Sequence, residues 1–109
     1  MLQNNFTTPE QSKRLLELGV PEDSADFVRF KDYSYPEILR TKYSEYIEHL
    51  TFTEQKEYTP CWSFGRLIEI IALCIHISAT DIKKGYVINL LISDIERSIN
   101  KIDFSKLED

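Results

Sequence analysis

Seven residues near the end of the chain restrict its fold more than any other feature. Val87, Ile88, Leu91, Ile92, Ile95, Ile99 and Ile102 share one side of a helical wheel. At 100° per residue they span an arc of roughly 140°, and almost everything opposite is polar. The stretch PCWSFGRLIEIIALCIHI offers a matching surface, because Phe64, Leu67, Ile68, Ile70, Ile71, Cys74, Ile75 and Ile77 fill about half of a second wheel. Two helices, near 64–77 and 87–101, are therefore expected. β-Branched residues weaken helix propensity, which leaves a strand at 86–90 as the alternative for the start of the last element.

Local signals place a third helix near 9–18. In TTPEQSKRLLELGVP, Thr8 stands as N-cap, Pro9 at N1 and Gln11 at N3 of a capping box, while Gly19 supplies a left-handed stop before Pro21. Tyr43, Tyr46, Ile47 and Leu50 fall at i, i+3, i+4 and i+7, which predicts a helix near 43–50. Between these, Phe27, Val28, Arg29 and Phe30 alternate as a short strand would, and Ile38–Leu39 reads as a second, giving a small β-hairpin near 27–40. PEDSAD at 21–26 reads as a turn or a single helical turn, and TFTEQKEYT at 51–59 as loop. The expected fold is a single compact α+β domain over residues 1–109, mostly helical. Leu15, Leu18, Phe27, Leu67, Ile71, Cys74, Leu91, Ile95 and Ile99 are its expected core.

The chain has 109 residues, 42% of them hydrophobic and 28% charged, with a net charge of -5 from 18 acidic and 13 basic side chains. That balance suits a globular domain. It argues against general nucleic-acid binding, which needs clustered Lys and Arg, so no nucleic-acid partner is expected. The longest apolar run, 67–77, is broken by Glu69 and His76 and is too short to span a bilayer. No membrane partner is expected, and the absence of a visible signal peptide points to the cytoplasm, where two cysteines remain thiols.

Chemistry-bearing residues are few. Cys74 lies inside an apolar arc and reads as a buried thiol. Cys61 and Cys74 are separated mostly by helix, too far for a disulfide at about 1.5 Å per residue. The spacings of Cys61, Cys74, His49 and His76 match no zinc pattern, so neither a metal nor a cofactor is expected. No Gly-rich phosphate loop, GxSxG or HExxH occurs. Cys61, just before a helix start, is the one candidate nucleophile, and it would need exposure and a base from His49 or His76. Trp62 reads as a hydrophobic staple before the Ser63 N-cap, with Leu67 as its partner. Arg66, Glu69 and His76 form a polar patch on the same helix, with Arg66 and Glu69 as an ordinary exposed pair.

Aromatic residues crowd between Phe27 and Trp62. Tyr is enriched at interfaces because its ring buries area while its hydroxyl stays paired or wet. Tyr33, Tyr35, Tyr43, Tyr46 and Tyr58 are therefore the candidate interaction surface, and a non-enzymatic protein-interaction module, self-associating as a homodimer or binding an unknown protein, is the leading expectation. A small enzyme using Cys61 is the alternative.

Three patches taken together, FTTPEQSKRLLELGVPEDSAD, PCWSFGRLIEI and DFSKLED, resemble small uncharacterised proteins of gut Bacteroidales genomes and their prophages or mobile elements. The resemblance implies a short cytoplasmic α+β protein of unknown function, with an acidic mobile-element protein acting on a host protein as one variant. It implies no catalytic or ligand residues. The matching positions are caps and anchors: Thr8, Pro9, Gln11, Gly19, Pro21, Trp62, Ser63 and Leu67.

Overall fold

The computed structural model describes residues 5–31, 35–75 and 88–107. Tyr33, His76, Val87 and the side chain of Cys74, all singled out above, lie outside the described residues. The first helix, α1 (Pro9–Leu18), starts and stops where its local signals put it. Thr8 Oγ1 accepts from the Gln11 N–H at 3.1 Å, and Gln11 Oε1 accepts from the Thr8 N–H at 2.9 Å. Gly19 takes φ 103°, a left-handed conformation that a Cβ would strain, and the chain turns out of the helix there.

A three-stranded antiparallel sheet follows, formed by β1 (Phe27–Phe30), β2 (Glu37–Ile38) and β3 (Tyr58–Cys61) in the order β2-β1-β3. The expected hairpin is its outer part, in the register Phe27 to Ile38. The third strand corrects the loop expected at 51–59: Thr51 caps a short helix, α3 (Phe52–Gln55), through its own capping box, and β3 pairs along the whole of β1. YTPC contains a proline and no apolar alternation, so only its long-range pairing makes it a strand. Lys31 N–H donates to Glu57 C=O. The pairs 31·57, 29·59 and 27·61 are thus the hydrogen-bonded ones, and Tyr58 and Pro60 turn their main-chain groups outward. Pro60 has no N–H to lose there, which blunts this edge of the sheet.

The helix expected at 43–50 is shorter, α2 (Tyr43–Ile47), with Leu50 in the turn that follows. The two longer helices are α4 (Phe64–Ile75) and α5 (Ile88–Ser98). Ile88 to Leu90 are helical, so the strand considered there does not form. Among the described residues, α4 and α5 make the largest helix-to-helix contact. Their facing residues Leu67, Ile70, Ile71, Leu91, Ile92 and Ile95 build the core with Leu15, Val20 and Trp62. Leu18 and Ile99 are only partly buried at its margin, and so are Phe104 and Leu107 from the end of the chain. Phe27 sits outside that core; its ring meets Phe6 edge-on at 4.8 Å.

Neighbouring leucines of α5 test this layout. Leu91 is fully buried and Leu90 half exposed. Leu91→Ala should cost about 2–5 kcal/mol through lost transfer energy and the cavity it leaves, whereas Leu90→Ala should stay within about 0.5 kcal/mol. Urea unfolding of the two variants measures both.

Candidate functional site

The structure concentrates its polar chemistry around the 21–26 segment and the β3–α4 junction. Trp62 is fully buried, and its indole N–H donates to Ser24 Oγ at 3.0 Å. Ser24 Oγ–H donates onward to Pro21 C=O, and Ser24 C=O accepts from Arg66 Nε at 2.8 Å. Asp26 accepts from both the N–H and the hydroxyl of Ser63, at 2.9 and 2.5 Å, and Ser63 Oγ in turn accepts from the Arg66 N–H as N-cap of α4. Asp23 repeats the arrangement on α2, accepting from the N–H and hydroxyl of Ser44 at 2.8 and 2.9 Å.

Arg66 is thus no ordinary exposed residue. Its side chain is 10% exposed and tied to the 21–26 segment, while Glu69, which accepts from it at 3.1 Å, is in solvent. The polar patch expected from Arg66, Glu69 and His76 is therefore, in its described part, a fastening of α4.

Cys61 is sealed. It is fully buried, its thiol donates to Thr7 C=O at 3.5 Å, and an Arg29 terminal nitrogen lies 3.9 Å from the sulfur. Burial pushes the thiol pKa up, against the opposing pull of a hydrogen bond that the Thr7 hydroxyl donates to the sulfur at 3.6 Å and of the Arg29 charge. The exposure that a nucleophile requires is missing, whereas His49 lies exposed near Glu48. Thr7 is the hub of this inner network: its hydroxyl accepts from the Trp62 N–H at 3.0 Å and pairs with Ser12 Oγ at 2.7 Å. Among the described residues, no group of three His, Cys, Asp or Glu side chains could hold a metal ion, and no helix is long and apolar enough to cross a membrane.

The aromatic residues divide. Tyr43, expected at the surface, is 3% exposed, because α2 packs it inward. Its phenol is pushed up to about 12, first by burial and then by the nearby Glu22 carboxylate. Tyr46 and Tyr58 are half-buried and meet edge-on at 5.7 Å, and Tyr58 meets Phe30 at 5.1 Å. Tyr35 is exposed, apart from this cluster. Phe52, which belongs to the aromatic-rich 27–62 stretch but not to the tyrosines singled out in it, is 74% exposed at the first position of α3, with Lys56 Nζ 4.4 Å from its ring centre. Phe52, Leu16, Tyr43, Ile47, Tyr58 and Pro60 line an open groove of about 320 Å³. Glu22 and Lys56 put one charge of each sign on it.

Two tests follow from these burials. Alkylation by iodoacetamide, read by peptide mapping, should leave Cys61 unmodified at pH 8 in the native protein and modify it in urea; rapid native labelling would refute the sealed site. Tyr43 is neutral in the folded protein up to about pH 12, but in the unfolded chain it ionises near pH 10. The unfolded state then binds fewer protons, so unfolding free energy should fall as pH rises from about 10 to about 12. Tyr43→Phe should flatten that part of the profile.

Comparison with family models, with curated proteins and with solved structures yields no match to this chain.

Proposed function

We propose that the protein is a non-enzymatic interaction module, working in the cytoplasm, whose first partner is a second copy of itself. The observation that carries this reading is a protruding aromatic ring beside an apolar groove. Phe52 stands out from α3 while Leu16, Ile47 and Tyr58 hollow the surface next to it. A knob and a hole on one patch are self-complementary, as a two-fold interface demands. Under a two-fold axis through the groove, Phe52 of each copy enters the groove of the other. The opposite charges of Glu22 and Lys56 support the same pairing, since each would meet its counterpart across the axis. Main-chain pairing is a poorer route, because Pro60 removes a donor from one sheet edge and β2 at the other is two residues long.

The test is light scattering across a range of concentrations. The wild type should approach twice 12.8 kDa as concentration rises. Phe52→Asp, which places a charge where the ring docks, should stay at one chain mass with a nearly unchanged urea midpoint, because Phe52 is largely exposed and its contact with Lys56 lies at the surface. A wild-type mass that stays at one chain throughout would overturn self-association.

A further inference from the structure

A second concavity lies on the other side of the 21–26 segment. A groove of about 180 Å³ is walled by the 39–42 segment and α4, and Arg40, Lys42 and Arg66 all line it. It shares Asp23, Lys42 and Arg66 with an adjoining groove of about 290 Å³, where Pro21, Phe104 and Leu107 give an apolar wall. The two adjoin, with the cations gathered in the first and an apolar wall in the second. This is unexpected in a chain of net charge -5.

The lining carries one positive charge in excess, from three cations and two carboxylates. Asp23 and Asp26 also line the cationic groove, but each accepts two hydrogen bonds from a serine, Ser44 or Ser63, that starts a helix. Both are committed to the fold. Arg66 is held in place by Ser24 C=O and Glu69, so a guanidinium is fixed at the groove floor. Arg40 and Lys42 are exposed, and neither forms an ion pair among the described residues. Three cations thus face two carboxylates, and of the three only Arg66 has an ion-pair partner, Glu69, among the described residues. Guanidinium and ammonium groups so placed suit an oxyanion, which accepts charge-assisted hydrogen bonds from each.

We propose that the two grooves together bind a small ligand with an anionic head, a carboxylate or a phosphate monoester, and an apolar body. The head lies against Arg40, Lys42 and Arg66, and the body against Pro21, Phe104 and Leu107. Each groove alone falls below the roughly 300 Å³ at which small-ligand sites begin, so the ligand has to reach across both. The site is independent of the Phe52 groove and does not require self-association.

The experiment is an amide-shift titration of the whole chain by NMR with phenyl phosphate, benzoate and inorganic phosphate in separate arms. Phenyl phosphate or benzoate should give saturable shifts at residues 39–42, Arg66 and 104–107, and the tighter of the two names the head group. Each should bind several-fold more tightly than inorganic phosphate, which lacks the body. The Arg40→Ala/Lys42→Ala double variant should lose about tenfold in affinity, as charge-assisted contacts are removed, while Lys31→Ala should change nothing. Raising sodium chloride from about 20 to about 200 mM should weaken wild-type binding, because the contacts are partly exposed. That arm keeps the test alive should the double variant lose the near-ultraviolet dichroism of Trp62. The proposal is overturned by shifts that do not saturate, by equal binding of inorganic phosphate, by salt-insensitive binding, or by a folded double variant that binds as tightly as the wild type.

Discussion

A buried tryptophan carries one polar atom that must be satisfied, and much of this structure is arranged around meeting that demand for Trp62. Its ring lies in the common core of α1, α4 and α5, out of contact with water. An unpaired indole N–H there would cost about 1–3 kcal/mol. Ser24 removes the cost, and in doing so brings the acidic 21–26 segment across the start of α4. Once that segment is in place, the two neighbouring aspartates reach the first turns of two helices, Ser24 C=O reaches Arg66, and Asp26 C=O accepts from Leu39 beside β2. One turn thereby joins the helical core to the sheet and to α2.

The Thr7 network does the same on the opposite side of the β3–α4 junction. Thr7, Ser12 and Cys61 are all buried, and their polar groups satisfy one another and the Trp62 main chain. Satisfied networks of this kind specify a single arrangement of the elements they touch. Cys61 belongs to it as a packing and hydrogen-bonding residue, which accounts for a thiol without chemistry. Two grooves lie beside these networks: an aromatic one at α2 and α3, and one lined by Arg40, Lys42 and Arg66 next to the aspartates that are turned to the helices.

Part of this was legible in the residues. The capping box of α1, its Gly19 stop and the Ser63 cap act within four residues of themselves, so each is written locally and each forms as read. The apolar stripes of α4 and α5 repeat at helical period and found each other. The candidate surface was legible only in outline. Periodicity placed Tyr43 and Tyr46 on one helical face but could not say that Tyr43 turns into the protein while Phe52, in a stretch with no clear period, turns out of it.

The sequence by itself determined where α1 and α4 begin, where α1 ends and which faces of the longer helices are apolar, because caps, glycine and periodic burial are short-range effects. Only the tertiary structure decided that YTPC is a strand, since its partner β1 lies about thirty residues earlier and its proline and lack of apolar alternation hide the preference of Tyr58 and Thr59 for extension. The same holds for the roles of Asp23, Ser24, Asp26 and Thr7. Each is a small polar residue that could equally have faced solvent. What fixed them is the burial of groups elsewhere in the chain, chiefly one indole N–H and two helix starts, whose need for partners exists only after the core has closed.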